Sequence, residues 1–144
     1  MNQVVKILDQ QLSDWNILFV KLHNYHWNVK GSDFFTLHEK FEELYNEAAS
    51  HIDEIAERIL AIGETPAGSF KEYLELSTLK EASGKENSRE MVEQIIADFK
   101  NVIKNAKNGI DVAGDVGDET TVDMLTQIHV ALEKHVWLFT AFLG

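Results

Sequence analysis

Four long stretches of the chain repeat apolar residues every three or four positions, the period of a helix that buries one face. The first covers about residues 4–29, with Leu8, Leu12, Trp15, Phe19, Leu22 and His26 in its stripe. The second covers about 34–62, through Leu37, Phe41, Leu44, Ala48, Ile52, Ala56 and Ile59. The third runs over about 88–113, through Val92, Ile95, Phe99, Val102, Ala106 and Ile110. The fourth runs over about 120–142, through Val122, Leu125, Ile128, Leu132, Val136 and Phe139. Turn chemistry separates them. Gly31-Ser32-Asp33 ends the first helix and offers caps to the second. Asn87, three residues before Glu90, predicts a capping box for the third. Gly114-Asp115-Val116-Gly117-Asp118 divides the third from the fourth.

The stretch from Gly63 to Asn87 is different. It contains Pro66 and Gly68, then a short helical piece at 71–76. Two short turns and one long connection predict an all-α, ferritin-like four-helix bundle, with a short extra helix in the crossover between helices two and three. One domain over residues 1–144 is expected from the length.

Composition narrows the chemistry. There is no cysteine, which excludes disulfides and thiolate metal sites. No apolar run approaches the roughly 20 residues that span a bilayer. The N-terminal segment MNQVVKILDQQ lacks the pattern of a signal peptide, so a cytoplasmic protein is expected. Lys and Arg number 13 against 24 Asp and Glu, a net charge of −11. Such a chain repels nucleic-acid phosphate. The acidity either attracts cations or simply keeps the protein soluble.

His38, Glu42, Asp53 and Glu57 fall at about 0°, 40°, 60° and 100° around the second helix, on one edge beside its core stripe. His38 and Asp53 are roughly 22 Å apart along it, too far to hold one ion. Antiparallel pairing of this helix with its own copy, centred between Glu47 and Ala48, sets residue i against residue 95 − i. His38 then faces the copy's Glu57 and Glu42 its Asp53, as a twofold interface requires. Ala49 near the middle permits close approach. His26 joins from the end of the first helix. Each of two sites would hold His26, His38 and Glu42 from one chain and Asp53 and Glu57 from the other. Nitrogen and carboxylate donors suit Fe(II), Mn(II) or Zn(II). An i,i+4 pair such as Asp53 and Glu57 is, taken alone, also common on solvated helix faces.

The segments LHNYHWNVKG (22–31), FTLH (35–38), FEELY (41–45) and DEIAERI (53–59) closely resemble the signature of the Dps family. The resemblance implies a ferroxidase and iron-storage shell: a homo-oligomer of twelve subunits with 23 symmetry. It would oxidise Fe(II) with H2O2 or O2 and store ferric mineral, protecting DNA and cell from oxidative damage. It also implies the inter-subunit site His26, His38, Glu42, Asp53 and Glu57. Position 42 is often aspartate in the family and is glutamate here. A conventional ferritin instead carries two Glu-x-x-His pairs inside one bundle, and this chain has none.

Trp15 and Trp27 are either packing residues or traps for stray radicals near the iron. Arg58 either orients the Glu57 carboxylate or makes an ordinary salt bridge. His23, His51, His129 and His135 are expected at surfaces or interfaces, without metal. Asp111, Asp115, Asp118, Glu119 and Asp123 cluster around the third turn. Their carboxylates either serve the turn and the following helix N-terminus or, as the resemblance implies, ring a threefold iron-entry pore. Asp118 and Asp123 are the candidates for that pore. Many Dps proteins bind DNA through a lysine-rich extension. Residues 1–12 hold one lysine, Lys6, against Asp9, so direct DNA binding is expected to be weak or absent. The competing functions are a shell that coats DNA or a partner with mainly structural metal sites, and a zinc- or manganese-holding shell.

Overall fold

The computed structural model describes residues 2–144, except the side chain of Asn2. Its elements are α1 (Asn2–Asn28), α2 (Phe34–Ile62), α3 (Phe70–Leu76), α4 (Ser88–Asp115) and α5 (Glu119–Leu143), with no strand among the described residues. The four long helices and the short one in the crossover occupy the predicted stretches, and the fold is the ferritin-like bundle.

The helix ends follow local chemistry in most cases. Asn87 and Glu90 make a reciprocal capping box, with bonds of 2.8 and 3.0 Å. Gly63 ends α2 at φ +100°, where Glu64 N–H bonds back to the Ile59 carbonyl at 3.1 Å. That backbone conformation favours glycine. The expected cap for α2 differs. Asp33 occupies the N-cap position, but its side chain makes no cap bond. Its φ/ψ of −99°/13° is not the extended conformation that aims a cap side chain at the helix.

The long helices bury Leu8, Leu12, Phe41, Leu44, Phe99, Val102, Leu125 and Leu132 among others. In α2 the fully buried stripe passes through Ile55, while Ile52 and Ala56 are only half-buried at its margin.

Helix α1 buries more than one stripe, because the crossover covers a second side of it. Asp9 accepts from the Ala67 N–H at 2.9 Å. Asp14 accepts from the Ser77 hydroxyl and the Thr78 N–H, each at 2.7 Å. Lys21 donates to the Lys80 carbonyl at 2.8 Å, and the Tyr25 hydroxyl to Glu86 at 2.7 Å. The crossover thus climbs along α1 from near its start to its end, and α4 descends beside it. Lys21 also pairs with Asp98 of α4 at 2.8 Å, both side chains almost fully buried. This topology brings the end of α1 and the start of α2 together at one end of the bundle.

Candidate metal centre

The short α1–α2 turn puts His26, in the last turn of α1, against His38, in the first turn of α2. Their rings stack at 3.7 Å and 13°. His26 Nδ1 lies 2.6 Å from the His38 carbonyl oxygen, and His38 Nδ1 lies 2.7 Å from the His26 carbonyl oxygen. A carbonyl only accepts, so each Nδ1 carries a hydrogen and donates it. In the neutral ring this leaves the Nε2 lone pair of both residues free for a metal. Phe34 stacks on His38 at 4.9 Å, and Tyr45 meets His26 edge-on at 5.4 Å. Both imidazoles are therefore held in orientation as well as in tautomer, the arrangement that metal-ligating histidines require.

Glu42, one turn beyond His38, brings a carboxylate oxygen to 3.7 Å from His26 Nε2. Its side chain is half-exposed, so it can swing. His26, His38 and Glu42 are one group. Asp53 and Glu57 form another, exposed and one turn apart farther along α2. The hydrogen bond and negative charge of Asp53 raise the Glu57 carboxyl above its usual value. Among the described residues, no three His, Asp or Glu side chains of this chain close around an ion as they stand. The structure groups three of the five predicted ligands and leaves the other two as a separate pair.

The remaining candidates take definite places. Asp118 caps α5, accepting from the Thr121 N–H at 3.1 Å and hydroxyl at 2.6 Å. It also receives the Arg58 guanidinium at 2.7 Å. Burial opposes its ionisation, but the Thr121 bonds and the Arg58 charge outweigh it and hold the carboxyl low. Its carboxylate is buried and already engaged within the chain. Asp123 is exposed, and one carboxylate oxygen accepts from Gln127 at 3.1 Å. Arg58 makes the Asp118 salt bridge and an N–H bond to the Thr121 hydroxyl at 3.1 Å.

Trp15 is buried against His51 and Phe99, with ring distances of 4.4 and 6.2 Å. Trp27 is exposed beside His23. His23 stacks on Tyr45 at 3.7 Å. His51 and His135 do not decorate a surface. Both turn inward onto Glu47. The Glu47–His51 spacing of one helical turn was the available signal, but nothing local says that His135 meets it.

Comparison with known proteins identifies the family. The family model described as "Ferritin-like domain" matches residues 5–144. The chain is 52% identical over 142 residues to General stress protein 20U of Bacillus subtilis (strain 168), covering 99% of this chain and 98% of that one. It is 54% identical over 142 residues to DNA protection during starvation protein 2 of Bacillus anthracis, covering 99% and 97%. The crystal structure of Dps from Staphylococcus aureus superposes with a TM-score of 0.99 at 46% identity, covering 100% and 97% of the two chains. With the bundle, its crossover helix and the paired histidines at the α1–α2 turn, these likenesses establish that the chain belongs to the Dps family of ferritin-like proteins.

Proposed function

We propose that this protein oxidises Fe(II) at sites shared between two subunits and stores the ferric product inside a closed shell of twelve copies with 23 symmetry. The observation that carries the reading is the exchange of hydrogen bonds between His26 and His38. It frees two Nε2 atoms side by side, with Glu42 next to them, and among the described residues no third side chain of the same chain closes the group around an ion. Twofold pairing of α2 about the Glu47–Ala48 midpoint brings the partner copy's carboxylate pair to that position.

In such a site, His26, His38 and Glu42 bind Fe(II), and Asp53 and Glu57 from the other copy close it. Carboxylates favour the Fe(III) product, a hard cation. With peroxide, two Fe(II) each give one electron; H2O2 takes both with two protons and leaves as two waters. Consuming Fe(II) and peroxide together removes the reactants of hydroxyl-radical chemistry, which would protect DNA without contact. The net charge of −11 makes direct DNA binding weak. Iron entry is placed at a threefold pore near the α4–α5 turn. Asp123 is its exposed carboxylate, and Asp118 fixes the turn from behind.

The test adds Fe(II) to apo-protein, then peroxide, and follows ferric absorbance beside a His26→Ala/His38→Ala variant. Oxidation in the unsubstituted protein should be many times faster. Equal rates would defeat the assignment.

A further inference from the structure

A second polar cluster lies inside the bundle, away from the α1–α2 turn. Glu47 and His51 are one turn apart on α2, and His135 reaches across from α5. His135 Nε2 lies 3.0 and 3.1 Å from the two carboxylate oxygens of Glu47. His51 Nε2 lies 3.4 Å from one of them. The histidine side chains are only 12% and 13% exposed. Trp15 packs on His51, and Phe99 lies 6.0 Å from the His135 ring.

An ion pair tying α2 to α5 needs one histidine. Here two converge on one carboxylate, and both rings leave a buried Nδ1 with no partner. The Trp15 indole N–H beside them has none either. Buried polar atoms in folded proteins almost always have partners, so three orphans at one place call for an explanation.

We propose that Glu47, His51 and His135 form a divalent-cation site within each bundle, distinct from the inter-subunit centre and able to take Co(II), Zn(II), Mn(II) or Fe(II). An ion with ligand distances of about 2.1 Å and ligand angles of about 90–110° spaces its donor atoms about 3.0–3.4 Å apart. The three nitrogen–oxygen separations fall in that range. Two imidazoles and a carboxylate suit these metals.

Among the described residues no three such side chains enclose an ion as they stand, and each Nε2 here donates its hydrogen to Glu47. An incoming cation replaces these hydrogens. Moving a ring hydrogen from Nε2 to Nδ1 gives up no bond at Nδ1, because that atom has none. The carboxylate already lies between the two rings. Of the three residues, His51 alone lines a cleft of about 660 Å³ whose walls include Glu54, Glu57 and Asp123. Arg58 on the same wall is neutralised by Asp118 at 2.7 Å. An acidic cleft attracts cations.

The test removes the first centre and looks for the second. A His26→Ala/His38→Ala protein is titrated anaerobically with Co(II), by equilibrium dialysis and visible d–d absorbance. We expect about one Co(II) per chain, bound at least tenfold more weakly when either Glu47→Gln or His135→Gln is added. Thermal melting and shell size check folding. Cobalt-soaked crystals of the starting protein give a second readout, an anomalous peak in contact with both Nε2 atoms. The proposal is overturned if the background protein binds no Co(II), if folded Glu47→Gln and His135→Gln proteins both keep the affinity within twofold, or if the crystals show no such peak. It does not rest on the oxidation reading, since Co(II) occupancy is measured without turnover.

Discussion

His26 and His38 each donate Nδ1–H to the other's backbone carbonyl, at 2.6 and 2.7 Å. The two residues are thus each other's orienting partners, a role that metal-site histidines usually give to a separate group. His38→Asn is the informative substitution. The amide can still donate to the His26 carbonyl, but no Nε2 remains. Fe(II) affinity should fall by about tenfold or more, with little change in melting temperature, in anaerobic titration calorimetry. An unchanged affinity would remove His38 from the ligand set.

Asp118 and Asp123 should separate cleanly. Asp118→Ala removes a cap and leaves Arg58 unpaired, for a loss of about 2–3 kcal/mol. Asp123→Asn touches an exposed carboxylate and should change stability by less than about 0.5 kcal/mol. If Asp123 lies at an entry pore, that same variant takes up iron more slowly at low Fe(II). Melting curves and stopped-flow uptake on the two proteins decide the point.

Stability should depend on Glu47 in acid. Burial works against its ionisation, yet His135 and His51 hold its pKa at about 2, below the ordinary 4.5. A depressed folded value means that its contribution is complete above about pH 4.5 and is lost as pH falls towards about 2. Asp14 and Asp98 act in the opposite sense. Burial raises both, so the folded state takes up their protons first and offsets part of the loss. The melting gap between the unsubstituted protein and Glu47→Gln should be widest above about pH 5 and close in stronger acid. A gap independent of pH would show that the charge of Glu47 contributes nothing.

Gly109 sits where α4 packs against Ile7 of α1 and Leu125 of α5. A Cβ there would meet Leu125 Cδ1 at 2.7 Å and Ile7 Cγ2 at 2.8 Å. Gly109→Ala gains about 1 kcal/mol of helix propensity. It forces two packed side chains to shift, at about 1–3 kcal/mol. The net expectation is a lower melting temperature, by up to a few degrees. A higher one would mean that Leu125 and Ile7 yield freely.

Lys21 and Asp98 form a buried pair at 2.8 Å, and Lys21 also holds the crossover through the Lys80 carbonyl. Lys21→Met should cost about 3–5 kcal/mol by stranding Asp98. Adding Asp98→Leu should recover part of it. Denaturant midpoints of the single and double variants measure the recovery.

Much of this molecule was legible along the chain because its signals are local. Apolar residues at helical spacing drew α2 at 34–62, and the Asn87–Glu90 spacing drew the capping box. His26, His38 and Glu42 could be grouped because a short turn leaves few ways to join two helices. What failed was specific. Asp33 looks like a cap residue, but its backbone angles do not aim its side chain at α2. The pairing of Asp118 with Arg58, 60 positions away, left no sign along the chain.

The sequence by itself determined the helices, the connectivity and the edge of α2 that carries the candidate ligands, since each depends on residues within a few turns of one another. Tertiary structure alone decided which nitrogen each histidine offers, because the carbonyl that fixes His26 belongs to α2 and the one that fixes His38 belongs to α1. It also decided that Asp14 and Lys21 bind the crossover, and that His135 meets Glu47. Hydrogen bonds need contact to within about 3 Å, and periodicity carries no record of which distant residue will be there.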